Sequence, residues 1–250
     1  MQIKDSVVLI TGANRGIGKA YAEAFFAAGA AKIYLGVRNT DSVKEFAQQD
    51  PDRLIPLQFD VTSATDIQNA ASVAQDTTIL VNNAGILIFD DFSSPELIEN
   101  ARKQVEVNYI APLAITQTFA PILKKNGGGA LVTVSSIVGH VSMPGITSYC
   151  ASKYAVQSVI LNARAQLAGQ GTHVVGVYPG PIDTDMAADV DMEKFPPEQV
   201  AAETLKAIEN GTEDVFTDAF SQQTYDAFRA DPKAVEANMR AMAQQSQEAA

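Results

Sequence analysis

The chain has 250 residues, 46% of them hydrophobic and 19% charged, with 18 Lys and Arg against 29 Asp and Glu. That length suits a single large α/β domain with a sizeable core and rules out disorder over most of the chain. The net charge of −11 argues against nucleic acid or an anionic membrane as the main partner, the one cysteine, Cys150, rules out a disulfide framework, and two separated histidines, His140 and His173, make no His/Cys metal set.

Met1 to Asp5 hold one Lys and one Asp, and the apolar run Val7–Ile10 is far shorter than the roughly 7–15 residues of a secretory core segment. No run reaches the roughly 18 apolar residues of a membrane span, so a soluble cytoplasmic protein is expected. Ser6–Ile10 predicts a strand, and Gly16–Ala28 a helix closed by Gly29. Lys32–Val37 and Leu54–Phe59 predict strands, Ser63–Gln75 a helix, Thr78–Val81 a buried strand, and Pro95–Val107 a helix running on toward Phe119. Gly127, Gly128 and Gly129 turn the chain into a strand at Ala130–Ser135. Tyr149–Ala168 is a long helix closed by Gly169 and Gly171, and His173–Tyr178 is a further strand. Residues 185–197 read as a mobile loop with a short helix, followed by a helix at Val200–Glu209 and a short strand at Val215–Thr217. From Gln222 the chain is rich in Ala and Gln, with Val235, Met239 and Met242 at helical spacing and a frayed end at Gln244–Ala250. Strand and helix alternate, and strands such as Thr78–Val81 are apolar throughout. Both features predict an α/β fold: a doubly wound parallel sheet with helices on both faces, in a single domain.

Strand one runs into Thr11-Gly12-Ala13-Asn14-Arg15-Gly16-Ile17-Gly18, and a helix follows. Glycines let backbone approach a ligand closely, and a helix N-terminus offers free N–H groups to a pyrophosphate. The spacing G-x-x-x-G-x-G departs from the usual dinucleotide fingerprint, but the strand-before, helix-after context favours a phosphate loop over an empty turn. Strand two ends Leu35-Gly36-Val37-Arg38, where an NAD site commonly places an acid for the ribose 2′-OH. Arg38 and Arg15 together suit a 2′-phosphate, which accepts forked hydrogen bonds. Asp41 is the rival acid, beyond the strand end, and a solvated surface charge is the plain alternative for Arg38. NADP(H) is favoured over NAD(H).

Tyr149 and Lys153 stand at i and i+4, on one face of their helix. A nearby ammonium favours the phenolate and makes the tyrosine a general acid/base. Taken alone, the pair reads equally as a half-buried Tyr beside a snorkelling Lys. The joint pattern is more specific. Thr11–Gly18, Asp60-Val61, Asn82-Asn83-Ala84-Gly85, Asn108, Ser135-Ser136, Tyr149 to Lys153, and Pro179-Gly180 with Thr184 follow one another in an order and spacing that resembles the classical short-chain dehydrogenase/reductase family. Ser136 lies 13 residues before Tyr149, as in the family. The resemblance covers roughly residues 5–217.

The resemblance implies a Rossmann-type dinucleotide-binding catalytic domain over residues 1–220, with a substrate loop at about 185–199 and a C-terminal helical extension at 221–250. It implies that Tyr149 exchanges a proton with the substrate oxygen, that Lys153 binds the nicotinamide ribose and lowers the tyrosine pKa, and that Ser136 polarises the carbonyl. Asn108 would hold a water behind Lys153. Gly12, Asn14, Arg15, Gly16, Ile17 and Gly18 would cradle the cofactor phosphates, Asp60 and Val61 the adenine, and Asn83, Ala84 and Gly85 the adenosine ribose. Pro179, Gly180, Ile182 and Thr184 would hold the nicotinamide end.

Each residue also has a bland reading. Asn108 could bond within its helix, Asp60 could cap the helix near Ser63, Cys150 reads as a core thiol, and His140 reads as a surface loop histidine. The glycine-rich end typical of tetrameric family members is absent, which argues against a tetramer. A homodimer through the helices carrying Asn108 and Tyr149 and a monomer are both compatible with the sequence. Val138, Val141, Met143, Ile146, Met186, Met192 and Phe195 are expected to line the substrate pocket. No Lys or Arg stands in 138–150 to meet a phosphate, so an apolar ketone or aldehyde is expected, reduced with NADPH. The alternative is a catalytically silent, NADP(H)-sensing regulator, against which the intact Asn108, Ser136, Tyr149 and Lys153 set speaks.

Overall fold

A computed structural model describes residues 1–248. In chain order the elements are β1 (Val7–Thr11), α1 (Gly16–Ala27), β2 (Lys32–Val37), α2 (Lys44–Ala47), β3 (Leu54–Gln58), α3 (Ala64–Val73), β4 (Ile79–Asn82) and α4 (Leu97–Val105). They continue as α5 (Ala111–Lys125), β5 (Ala130–Val134), α6 (Thr147–Leu167), β6 (His173–Val177), α7 (Pro197–Asn210), β7 (Asp214–Val215), α8 (Ala219–Ala230) and α9 (Pro232–Glu248). The strands form one sheet in the order β3-β2-β1-β4-β5-β6-β7, and each paired neighbour is parallel. This is the doubly wound sheet expected. Most boundaries shift by up to three residues, the helix expected to run toward Phe119 ends at Lys125, and the turn of α2 is an addition.

Two apolar layers sandwich the sheet. One holds Val8, Ile10, Val81, Val132 and Val175 against α1 and α7, and the other holds Leu9, Leu80, Leu131 and Val174 against α3, α5 and α6. Successive residues of each strand thus enter opposite layers, which is why the central strands carry no polar alternation. The order reverses between β1 and β4, and at such a switch point the loops after the two strands part and leave a crevice for a ligand.

Three local features differ from expectation. α4 and α5 are joined by a single π turn, Glu106–Ile110, with Asn108 at its middle. Pro112 has no N–H to return to the Asn108 carbonyl, which favours this widening. The C-terminal stretch is two helices rather than one. Asp231 precedes Pro232, adopts φ −152° and ψ 93°, and its carboxylate caps the Lys233 and Ala234 amides. Helical backbone continues through Gln244 to Glu248; the rest of the segment expected to fray, 249–250, lies outside the described residues. Among the described residues no helix is long and apolar enough to cross a membrane.

Candidate active site

Apart from Tyr149 and Lys153 on α6, the residues singled out for the cofactor lie at or beyond the C-terminal ends of strands. The loop Gly12–Gly18 follows β1, Arg38 follows β2, Asp60 and Val61 follow β3, Asn83–Gly85 follow β4, and Pro179–Thr184 follow β6. Gly12 takes φ +70° and Gly16 φ +51°. A Cβ on Gly18 would lie 2.0 Å from the Gly12 carbonyl oxygen, and one on Gly16 would lie 3.0 Å from Thr184 Cγ2. The loop therefore curls tightly over the start of α1 and leaves its outer face open, the shape of a phosphate cradle.

Thr11 clasps the two central loops together. Its hydroxyl accepts from the Asn83 and Ala84 amides at 3.0 Å each, while Asn83 Nδ2 donates to the Thr11 carbonyl at 2.9 Å. Asn83 thus turns its side chain to bracing the glycine loop, a role its place in the motif did not reveal. Arg15 is exposed and reaches across to Asp185, with Nη1 3.1 Å from the carboxylate. Asp60 does not cap α3, a task Ser63 performs; it ties the Thr62 amide and hydroxyl at 2.9 and 2.8 Å. These two bonds hold its carboxyl below the usual range, and the Arg38 charge adds to them.

Asn108, Ser136, Tyr149 and Lys153 come together around the N-terminal half of α6, beyond the end of β5. Asn108 Oδ1 accepts from the Ile86 amide at 2.9 Å, and its Nδ2 donates to the Ile86 carbonyl and to Ser152 Oγ, both at 2.9 Å. Ser152 Oγ in turn donates to the Tyr149 carbonyl at 2.7 Å. Ser136 Oγ donates to the Pro179 carbonyl at 3.1 Å and receives the Val138 amide. Lys153 is buried; its ammonium lies 5.6 Å from the centroid of the Tyr149 ring and donates to the Val134 carbonyl at 3.0 Å. Two of its three N–H donors are left for a ligand.

The electrostatics depart from the expectation in one respect. Burial pushes the Tyr149 phenol up rather than down, and the Ser136 hydroxyl only partly offsets this. Burial also brings the Lys153 ammonium down, to about 8. Desolvation therefore decides the state of the phenol, and the neighbouring ammonium does not bring it down. Tyr149 is therefore held protonated at neutral pH.

The expected pocket residues divide. Val138, Val141, Met143 and Ile146 pack in one apolar cluster with Tyr149 and Cys150. Met186 and Met192 are exposed. Phe195 is packed against the main core, because residues 182 and 195 form a parallel bridge that folds the loop back on itself. Cys150 is a core thiol, 3% exposed. His140 is not at the surface: it is half-buried, with ring centroids 4.7 Å from Tyr178 and 4.8 Å from Tyr225, and burial lowers its imidazole pKa against the pull of Asp214.

Two buried carboxylates escaped the sequence reading. Asp90, after β4, holds the first turn of α6 through the Ser148 amide at 2.9 Å. Asp218 caps α8 through the Ser221 amide and also accepts from the Gly180 amide, each at 2.8 Å. Asp218 caps α8 within a local capping box, but its bond to Gly180 spans 38 residues and that of Asp90 to Ser148 spans 58, so neither long-range role is written in a local motif.

The chain is similar to known proteins over most of its length. A family model described as short chain dehydrogenase matches residues 6–194. A dehydrogenase/reductase SDR family member 7B from Rattus norvegicus is 32% identical over 200 residues, 75% of this chain; the chain spans only 61% of that relative's length. The Bos taurus counterpart is 31% identical over 244 residues, covering 85% of this chain and 73% of its own. The crystal structure of a short chain dehydrogenase from Burkholderia cenocepacia J2315, in complex with NADP, is 36% identical with a TM-score of 0.90 and covers 96% of this chain and 99% of that one.

Proposed function

The chain belongs to the short chain dehydrogenase family, an oxidoreductase family that uses a nicotinamide cofactor, and on that premise we propose that it is an NADPH-dependent reductase of apolar ketones or aldehydes, reversible to alcohol oxidation. The observation that carries this reading is the quartet of buried Asn108, Ser136 and Lys153 with half-buried Tyr149, together with the glycine cradle at the switch point of the sheet. The cradle and the two uncommitted donors of Lys153 fit a dinucleotide, whose nicotinamide supplies or accepts the hydride.

In this reading Tyr149, kept protonated by burial, donates its hydroxyl proton to the carbonyl oxygen as charge develops there. Ser136, next to the Pro179 carbonyl, orients the same oxygen. Lys153 binds the nicotinamide ribose and helps return a proton to the tyrosine, and Asn108 fixes the loop at Ile86 behind it. Arg38 and Arg15 favour a 2′-phosphate, and the NADP bound to the Burkholderia relative supports that preference. The cluster around Val138, Met143 and Ile146 carries no charge and supports an apolar substrate. Exposed Ile110, Leu113 and Leu161 on α5, its preceding turn and α6 support a homodimer through those helices.

The test is NADPH consumption, followed by absorbance, over a panel of apolar ketones and aldehydes, with NADH in parallel. Turnover that prefers NADPH and disappears in Tyr149→Phe is expected. Absence of both turnover and NADPH binding would remove the reading, and phosphorylated carbonyls as best substrates would remove the pocket assignment.

A further inference from the structure

The peptide between Pro179 and Gly180 is held at both ends. Its carbonyl accepts the Ile137 amide at 3.0 Å and the Ser136 hydroxyl at 3.1 Å. Its N–H donates to Asp218 Oδ2 at 2.8 Å. In a trans peptide these two groups point in opposite directions, so the plane is clamped between Ser136 on one side and Asp218 on the other. The clamp depends on Gly180: a Cβ there would lie 2.7 Å from Asp218 Oδ1 and 2.9 Å from a ring carbon of Phe220.

Asp218 is 4% exposed and performs two tasks at once. Oδ1 accepts the Ser221 amide at 2.8 Å, which caps α8. Oδ2 accepts the Gly180 amide and, at 3.1 Å, the Thr217 hydroxyl. Capping needs one oxygen, which Asn or Ser supplies as well. Only a carboxylate presents a second acceptor oxygen in the same buried place. A bond from an amide to a carboxylate is charge-assisted, and drawing on the N–H makes the carbonyl of the same peptide a better acceptor. On that carbonyl rests the single O–H of Ser136, whose Oγ receives the Val138 amide and also meets the Tyr149 hydroxyl.

We propose that Asp218 is a positioning residue for Ser136, holding the serine hydroxyl in place through the Pro179–Gly180 peptide until a substrate oxygen takes over the bond. This rests on the reductase reading and deepens it by naming what aims the serine. When the hydroxyl turns to the substrate, the Pro179 carbonyl keeps the Ile137 amide, so the turn leaves no buried acceptor empty.

Asp218→Asn separates the two tasks. Its oxygen still caps α8, while its amide nitrogen sets a donor against the Gly180 N–H. The experiment compares the full-length chain with Asp218→Asn, Ser136→Ala, the double variant, and Ser221→Ala, which alters the capping box and leaves Gly180 alone. It reads amide hydrogen exchange over the peptides holding Ile137 and Gly180 in the cofactor-free protein, the NADPH dissociation constant, and the reduction of an apolar ketone. Single turnovers at high enzyme concentration keep the slow Ser136→Ala chains measurable. Expected in Asp218→Asn are exchange faster by about tenfold, a rate lower by about tenfold, and NADPH binding within about threefold of the parent. In the Ser136→Ala background the same substitution should change the rate by less than about twofold, because residues that act as one unit are not additive. Ser221→Ala should leave the rate within about twofold of the parent. An equal loss in both backgrounds overturns the proposal, as does a parent-like rate in Asp218→Asn or a loss confined to NADPH affinity. A parent chain that neither binds NADPH nor reduces any ketone overturns the reductase reading instead, and the exchange rates still report whether Asp218 holds the peptide. Should Asp218→Asn fail to fold, Asp218→Ser, which caps α8 with its one oxygen, carries the same comparison.

Discussion

The carboxylate of Asp90 accepts the backbone amide of Ser148 at 2.9 Å and the Ser148 hydroxyl as well, and both residues are buried. Ser148 immediately precedes Tyr149. The N-cap residue of α6, Ile146, has no side chain that can cap the helix, so a carboxylate from a distant loop satisfies an amide of its first turn and sits at the positive end of the helix. Gln104 completes the anchor by donating to Ser148 Oγ at 2.6 Å while its Oε1 accepts the Ile88 amide at 3.0 Å.

Asp90→Ala leaves the Ser148 amide and hydroxyl buried without an acceptor. A loss of about 1–3 kcal/mol in denaturant stability is expected, with kcat falling while the KM for NADPH changes little. Urea unfolding and steady-state kinetics check both. A folded variant with normal kcat would show that this anchor does not position the tyrosine.

Lys153 makes the stability of the cofactor-free protein depend on pH. Its folded pKa is about 8 against 10.5 for the unfolded chain. Between these values the unfolded chain binds more protons, so stability rises with pH, by at most about 1.4 kcal/mol per unit. Above about pH 10 the direction reverses, because burial raises the phenols of Tyr21, Tyr149 and Tyr178 and the unfolded chain loses those protons first. Urea midpoints at pH 7, 8, 9 and 10 should climb and then level, and Lys153→Met should abolish the climb.

Tyr149 controls the direction of the pH profile. Reduction needs the phenol protonated, which burial secures through neutral pH, so its kcat/KM should be flat there. Alcohol oxidation needs the phenolate and should accelerate as pH rises. Tyr149→Phe should lower kcat/KM by about 10²–10⁴ in both directions, with NADPH binding retained. Initial rates over the pH range measure both effects, and a Phe variant that stays active would remove Tyr149 from the proton transfer.

Gly18→Ala should destroy the phosphate cradle. The new Cβ would stand 2.0 Å from the Gly12 carbonyl oxygen and 2.6 Å from Asn83 Nδ2, and the nearer of these is backbone. The rise in melting temperature caused by NADPH should vanish, since only a ligand that binds the folded state stabilises it. Gly169→Ala, where nothing lies within 4 Å, is the neutral comparison.

Arg38→Asp should weaken NADPH by about tenfold or more, the scale of one charge-assisted hydrogen bond, and NADH much less. Dissociation constants by fluorescence titration decide it. Equal losses for the two cofactors would mean that Arg38 does not meet the 2′-phosphate.

The sequence by itself determined the strands, because two-sided burial leaves an apolar run, and the glycine loop, because a strand, a spaced set of glycines and a helix lie within a few residues of one another. It also determined the pairing of Tyr149 with Lys153, which follows from one turn of helix. What it could not contain was anything closed by the topology. Asp90 meets Ser148 across 58 residues, and Asp218 meets Gly180 across 38. His140 enters an aromatic cluster assembled from the segments after β6 and β7 and from α8. Phe195 leaves the substrate side to pack against the core through a bridge to Ile182. The tyrosine pKa moved opposite to the expectation for the same reason: helical spacing brings an ammonium near, but only the packed fold decides how much water is removed from both groups, and here desolvation is the larger effect.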